Sequence, residues 1–290
     1  RIGDEKAPAW LRVLKHPLFL ISLTLFAIFL LYIPSLDVPP YMDDYIAIFM
    51  NPQVTDLSNL RYVLKEYLVN RGLVQISFAL DWHLAPGRIA VMHLTSILWH
   101  ILAAGLTWLC VKNLWRLFYY PDSQNHPASR YFGLIAAVFF GFHPINTQPA
   151  TYLAARADVM ATVFFLLGVI VACWMLIRIE KAQSRPGGLA VQLFALSLTV
   201  GVFTAAGLGC KEIIITLPAL VLLQLILFWR NKPVKTILFR SFLYCLPMIA
   251  AVAGYLAYRI LVLGAVFGFP DVEARSPMEN FLTQICILVL

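Results

Sequence analysis

Charged residues are scarce in this chain, and their scarcity excludes an ordinary water-soluble domain. They make up 13% of the 290 residues, whereas hydrophobic residues make up 61%. A typical soluble domain is about 25% charged and about 45–50% apolar. A chain with so little polar surface must have membrane lipids as its main solvent.

The motifs of soluble nucleotide-dependent enzymes are absent from the sequence as well. It contains no glycine-rich phosphate loop, no HExxH, no GxSxG and no protein-kinase motif, which excludes those enzyme classes. The five cysteines show no CxxC spacing and lie in or beside apolar runs. We interpret them as small apolar helix residues rather than as disulfide or metal ligands.

Long runs without Lys, Arg, Asp or Glu predict membrane-spanning helices. A helix needs about 20 apolar residues to cross a hydrocarbon core of ~30 Å, and an eighth run, 280–290, stops at the last residue. We therefore expect an all-α polytopic membrane bundle, a single domain over 1–290 with about seven complete spans and the start of an eighth. We interpret the chain as a fragment of a longer protein. The seven complete runs, each 17 to 25 residues long, are 16–36, 89–111, 131–155, 159–177, 186–210, 213–229 and 241–258.

The distribution of charge predicts a cytoplasmic N-terminus. With alternating loops and the N-terminus inside, 14 of the 22 basic residues face the cytoplasm and 11 of the 15 acidic residues face the other side. This is the asymmetry that the positive-inside rule describes. It accounts for the net charge of +7 without a nucleic-acid partner.

The outer side is predicted to carry one long loop, 37–88. Within it, residues 56–69 place Leu57, Leu60 and Leu64 on one helical face, which is typical of an amphipathic helix. Such a helix either lies on the membrane surface or packs on protein, and the sequence does not separate the two.

Polar residues gather at the predicted outer ends of the spans, where ionisable groups tend to mark sites or paths. The adjacent carboxylates of Asp43 and Asp44 suit a base and a partner group, and they permit a divalent cation. The alternative is a solvated acidic turn. The cations suit a phosphate or pyrophosphate, and the alternative for them is structural ion pairing. The collected residues are Asp43, Asp44, Arg71, Asp81, His83, Arg88, His143, Asn146, Gln148, Arg156, Asp158, Lys211, Glu212 and Arg259.

Two histidines on the second span are interpreted as structural. His93 and His100 are seven residues apart and share a helix face. Since no carboxylate stands near them in the sequence, we expect buried hydrogen-bonding residues rather than metal ligands.

Several short motifs, in this order, resemble the transmembrane half of the transmembrane-and-tetratricopeptide-repeat O-mannosyltransferases. These are GT-C fold glycosyltransferases that use lipid-linked sugars. The resemblance runs from about residue 20 to the end of the chain. The motifs are "DDY" at 43–45, "FALDWHL" at 78–84, "FHPINT" at 142–147, "ARAD" at 155–158, "CKE" at 210–212, "TLP" at 216–218 and "GFPDVEARSP" at 268–277.

The resemblance implies a mechanism and partners. A polyprenyl- or dolichyl-phosphate sugar would donate its sugar to a hydroxyl of a protein or glycan at the outer or lumenal face. Asp43 or Asp44 would be the base. The donor phosphate would be held by Arg71, Arg156, Lys211 and Arg259, with His143, Asp158 and Glu212 in support, and Asp158 would fix the pose of Arg156. The membrane would be a bacterial inner membrane or the endoplasmic reticulum.

The sequence departs from the family pattern at three positions. Asn146 and Gln148 replace a histidine and an acid of the family's opening motif, and Gly72 replaces a proline. These changes favour an alternative, a catalytically degenerate GT-C-like subunit that packs within a larger membrane complex. A transporter is a weaker interpretation, because no internal repeat or mid-membrane charge is seen in the sequence.

Overall fold

The computed structural model describes residues 16–56, 71–119, 128–181, 189–229, 231, 233–263, 276 and 278–279. Every regular element within these ranges is helical. The α-helices, in chain order, are α1 (Pro17–Tyr32), α2 (Pro52–Thr55), α3 (Gly72–Leu84), α4 (Ile89–Phe118), α5 (Ala128–Phe142), α6 (Gln148–Thr151), α7 (Arg156–Lys181), α8 (Leu189–Leu208), α9 (Leu217–Phe228) and α10 (Val234–Leu263).

Short irregular helices join or extend these elements. A π-helical turn covers Tyr45–Phe49. Single 3₁₀ turns cover Ile33–Asp37, Pro144–Thr147, Leu153–Ala155 and Glu212–Thr216.

Among the described residues, four helical stretches are long and apolar enough to cross a membrane: Pro17–Asp37, Ile89–Phe118, Leu153–Arg178 and Ile237–Val262. Three shorter apolar stretches, Tyr131–Phe142, Phe194–Leu208 and Glu212–Phe228, coincide with further charge-free runs of the sequence. The prediction of an all-helical membrane protein is thus supported, whereas the number of about seven spans stays a prediction.

Two predicted features fall where the structure gives no description. The face of the amphipathic helix predicted for 56–69 lies outside the described residues, which resume at Arg71. The eighth apolar run, 280–290, lies outside them as well.

The outer surfaces of the helices are apolar, as a lipid environment requires. Leu23 is 53% exposed, Phe26 57% and Phe139 67%. Contiguous apolar surface of this kind is unfavourable in water and favourable against lipid tails. The helices therefore cover only part of their apolar surface by packing on each other.

Helix α4 lies at the centre of the first half of the bundle and packs against α1, α5 and α7. Helix α7 then packs on α8, α8 on α10, and α10 on α9. The largest core cluster fills the space among α7, α8, α9 and α10, with Leu176, Val200, Val221 and Met248 each at most 1% exposed.

One end of the bundle collects the segments that carry polar side chains. We call it the polar end and define it by residues 37–56, 71–73, 143–158 and 209–216. These segments touch one another: the N–H of Leu73 donates to the carbonyl of Gly209 over 3.1 Å, and the carbonyls of Val38 and Ala150 both contact the ring of His93.

Close helix packing depends on Gly133, and we predict that Gly133→Ala destabilises the bundle. A Cβ at this position would lie 2.7 Å from the backbone carbonyl oxygen of Trp108, so α4 and α5 would have to move apart. Overpacking of this kind costs about 1–3 kcal/mol. The measurement is thermal or denaturant unfolding of the purified protein in detergent.

The matched control is Gly254→Ala, because a Cβ there meets nothing within 4 Å. Alanine favours a helix interior over glycine by roughly 0.5–1 kcal/mol, so this variant should be unchanged or slightly more stable. Equal behaviour of the two variants would contradict the predicted contact.

Candidate functional site

The connection after α1 carries the Asp43–Asp44 pair, and the structure fastens it to the connection before α7. The hydroxyl of Tyr152 donates a hydrogen bond to Oδ2 of Asp43 over 2.9 Å. The rings of Tyr41 and Tyr152 lie 4.9 Å apart. Asp43 is exposed, so its carboxylate is held in place and remains accessible.

The two adjacent aspartates have different environments. Asp44 is 0% exposed, and its carboxylate accepts hydrogen bonds from the N–H of Ala154 over 2.8 Å and of Tyr41 over 3.3 Å. Burial raises the pKa of the Asp44 carboxyl, while these hydrogen bonds oppose the rise. One carboxylate is therefore accessible and the other is part of the interior.

Arg156 belongs to the polar end but has no exposed surface. Its Nη1 is 2.7 Å from Oδ2 of Asp81, which lies on α3. Its Nη1, Nη2 and Nε also donate to Ser77 Oγ, the Met92 carbonyl and Ser96 Oγ over 2.8, 2.6 and 3.0 Å. One side chain thereby joins α3, α4 and α7.

This arrangement corrects the predicted partner of Asp158. Arg156 pairs with Asp81, whereas Asp158 pairs with Lys211. Side chains two positions apart on a helix point in different directions, so Asp158 does not fix the pose of Arg156. Since Arg156 has no exposed surface and all its nitrogens are engaged, its contacts in the structure are structural, and the phosphate contact stays a prediction.

The other two cations near this end also have carboxylate partners. Lys211 pairs with Asp158, and the two side chains are 32% and 45% exposed. Nη1 of Arg259 lies 3.1 Å from Oε1 of Glu212 and donates to the hydroxyl of Tyr255. Lys211 is therefore paired and partly exposed, whereas the Arg259 side chain is only 12% exposed.

Arg71 differs from the paired cations. It is exposed and has a left-handed backbone with φ of 54°. Such a conformation is unfavourable for an ordinary residue and persists only where the surroundings impose it. Here the next turn is tied down by the Leu73–Gly209 hydrogen bond, which places Arg71 beside the segment that carries Lys211.

One buried hydrophobic cluster joins the segments of the polar end. One buried cluster contains Ile48 from the first connection, Val74 from α3, Leu153 before α7, and Cys210. The two aspartates, Arg71 and Lys211 all lie within five residues of a member of this cluster in the sequence. The structure therefore brings the accessible carboxylate and two cations to one end of the bundle.

The residues of the 143–148 turn act as caps. Nδ1 of His143 accepts from the N–H of Ile145 over 3.2 Å, and Nδ2 of Asn146 donates to the carbonyl of Phe140 over 2.9 Å. Gln148 is exposed. Asn146 thus caps the end of α5, and His143 caps the start of the following 3₁₀ turn. This capping is a structural role for His143, the alternative to its predicted supporting role at the site.

Sequence reasoning missed Tyr152 and the part played by Asp81. Tyr152 and Asp43 are 109 residues apart, and Arg156 and Asp81 are 75 apart in the sequence, so spacing carries no signal. As for metals, the described residues contain no group of three or more His, Cys, Asp or Glu able to hold an ion. A divalent cation at Asp43–Asp44 stays a prediction.

The helices and the polar end define a class: in the part of the chain that the structure describes, the protein is all-helical, with four helices able to cross a membrane and ionisable groups at one end. Comparison with curated proteins finds a weak similarity to the human protein O-mannosyl-transferase TMTC4, with 28% identity over 148 residues. The match covers 49% of this chain and 19% of the human protein, which supports a distant relationship. No family model and no solved structure matches the chain.

The buried pair yields a prediction about stability. Arg156→Met leaves the Asp81 carboxylate buried without its cation. Asp81→Asn leaves the Arg156 guanidinium buried without its anion. Breaking a buried pair from one side costs about 3–5 kcal/mol, and replacing both partners by apolar residues recovers part of the loss. Unfolding of the two single variants and of Arg156→Met/Asp81→Leu measures this.

Lys211→Met serves as the comparison, because an exposed pair contributes only about 0–1 kcal/mol. If Arg156→Met and Lys211→Met lower the free energy of unfolding by the same small amount, Arg156 does not have the structural role assigned to it.

The raised pKa of Asp44 yields a prediction about pH. An unfolded aspartate ionises near pH ~3.9, and the folded protein holds the Asp44 proton to a higher pH. The contribution of this group to the free energy of unfolding is therefore fully present below the unfolded pKa and is lost as pH rises through the folded pKa.

Asp44→Asn cannot ionise, so wild type should lose stability relative to this variant as pH rises from about 3.5 towards 7. Unfolding in detergent across that range measures the difference. A difference that does not change with pH would show that Asp44 titrates normally.

Proposed function

We propose that this chain is the membrane domain of a glycosyltransferase that moves a sugar from a polyprenyl- or dolichyl-phosphate donor to a hydroxyl acceptor. The observation that carries the proposal is the exposed Asp43 carboxylate, held by Tyr152 at the end of membrane-crossing helices. The distant similarity to a protein O-mannosyl-transferase supports it. Seven complete spans, a cytoplasmic N-terminus and a GT-C fold belong to the same proposal.

The two aspartates take separate roles in this proposal. A base must reach the proton that it removes, and Asp43 is exposed whereas Asp44 is 0% exposed. Asp43 is therefore the base. Asp44 ties the first connection to the backbone of Ala154 and so positions its neighbour.

In the reaction, Asp43 removes the proton of the acceptor hydroxyl, and the hydroxyl oxygen forms a bond to the anomeric carbon of the sugar. The bond between that carbon and the phosphate oxygen breaks, and its electron pair leaves with the lipid phosphate. The leaving oxygen gains negative charge, which preorganised cations stabilise. Arg71 and the partly exposed Lys211 fill this role. Arg259 is paired with Glu212, and its side chain is only 12% exposed.

The test is transfer from radiolabelled polyprenyl- and dolichyl-phosphate sugars by the purified full-length protein in lipid. General-base catalysis contributes typically about 10²- to 10⁴-fold, so Asp43→Asn should lower the rate by at least about 100-fold with unchanged unfolding behaviour. Asp37→Asn is the matched control, because Asp37 is exposed on the same connection. It should retain the wild-type rate.

A second candidate is a non-catalytic subunit of a larger membrane complex. It is favoured by the pairing of Arg156, Lys211 and Arg259 with carboxylates of the chain itself. The same experiment separates the two. Transfer lost in Asp43→Asn supports the enzyme, whereas no transfer from any donor, with stable co-purification of other membrane proteins, supports the subunit.

A further inference from the structure

His93 makes two contacts that a neutral imidazole cannot satisfy together. It lies on α4 and is 1% exposed. Its Nδ1 is 2.9 Å from the carbonyl oxygen of Ala150, and its Nε2 is 3.1 Å from the carbonyl oxygen of Val38. A carbonyl oxygen only accepts hydrogen bonds, and a neutral imidazole has one N–H and one lone pair. In a neutral ring, one nitrogen lone pair would face an oxygen lone pair.

Flipping the imidazole ring of His93 would remove both hydrogen-bond contacts. Turning it by half a revolution would put carbon atoms against both carbonyls and leave both nitrogens without these acceptors at a buried site. A buried polar atom without a partner costs about 1–3 kcal/mol. The imidazolium form, with two N–H donors, satisfies both contacts.

A buried carboxylate lies on the same two segments that His93 contacts. Asp44 belongs to the connection that carries Val38, is buried, and accepts from the N–H of Ala154, four residues after the Ala150 carbonyl that His93 contacts. A buried cation is costly without a counter-ion, and the Asp44 carboxylate would supply one to a charged His93.

Among the described residues, the other charged groups on the surrounding elements do not disfavour a charged His93. Asp37, Asp43 and Asp56 on the first connection are exposed, and their negative charges favour a cation. The carboxylate of Asp158 is paired with Lys211. Arg156 contacts the carbonyl of Met92 and the hydroxyl of Ser96 on α4, beside His93, but Asp81 neutralises it.

We propose that His93 is a buried imidazolium that positions the Asp43–Asp44 connection. One N–H holds Val38 at the start of the connection, and the other holds Ala150 in the facing turn. The carboxylate of Asp44 adds a third contact between the same two segments, because it accepts a hydrogen bond from the N–H of Ala154, four residues after Ala150. The proposal concerns how the connection is held and does not rest on transferase activity.

The first test reads the protonation of His93 directly. Protein labelled with ¹⁵N-histidine in lipid nanodiscs is measured by NMR at a pH about one unit above the ordinary histidine pKa of about 6.5. The His93→Gln variant assigns the signal. We expect both ring nitrogens of His93 to be protonated, and one protonated with one unprotonated nitrogen would overturn the proposal.

The second test reads the position of the connection. Hydrogen exchange of residues 38–50 is compared in wild type, His93→Gln and His100→Gln. His100 is a matched control, because it is buried on the same helix and its Nε2 contacts the carbonyl of Gly141 on α5. We expect at least tenfold faster exchange in His93→Gln and no change in His100→Gln. Equal exchange in all three would overturn the positioning role. If His93→Gln fails to fold, His93→Asn replaces it in both tests.

Discussion

The buried ion pair of Arg156 and Asp81 is the constraint around which the polar end is arranged. A guanidinium without exposed surface is unfavourable unless a carboxylate and hydrogen-bond acceptors meet it, and here these come from two other helices. The pair can form only if α3, α4 and α7 lie in one relative position. Helix packing between apolar surfaces in lipid has no comparable directional preference, so the polar contacts fix the register of the helices.

The connections then follow from the helices that carry them. With α4 and α7 fixed, Ala150 faces His93, and Ala154 faces Asp44. The first connection is held at Val38 and again at Asp44, which leaves the intervening Asp43 on the surface. The position of the accessible carboxylate is therefore a consequence of interior contacts. Its own hydrogen bond to Tyr152 is added at the surface.

The helical membrane architecture could be predicted from the sequence, because a run of 17 to 25 residues without charge has the length and polarity of a membrane-crossing helix. The partners of the charged residues could not. Asp158 was assigned to Arg156 by proximity in sequence, yet helix geometry turns the two side chains apart and contacts between distant helices pair Arg156 with Asp81 instead. The prediction that His93 is a buried hydrogen-bonding residue is confirmed, but its two carbonyl partners lie more than 50 residues away.

Charge balance at the polar end links the interior contacts to the proposed chemistry. Three cations are each matched by a carboxylate, so these pairs add no net charge. The carboxylates of the first connection differ in how water screens them, because Asp44 is buried whereas the others are exposed. Solvent and salt weaken the field of exposed charges much more than that of a buried one.

The negative charge of Asp44 is therefore the one that would act most strongly on an anionic ligand unless a nearby positive charge balanced it. With a neutral His93, the buried carboxylate would be balanced by backbone hydrogen bonds alone. In the proposed reaction, its field would then oppose the lipid phosphate of the donor. With an imidazolium, the interior carboxylate is compensated from beneath, and the exposed Arg71 stays available to the anion. If both proposals hold, the protonation of His93 influences how well an anionic donor is tolerated beside two aspartates.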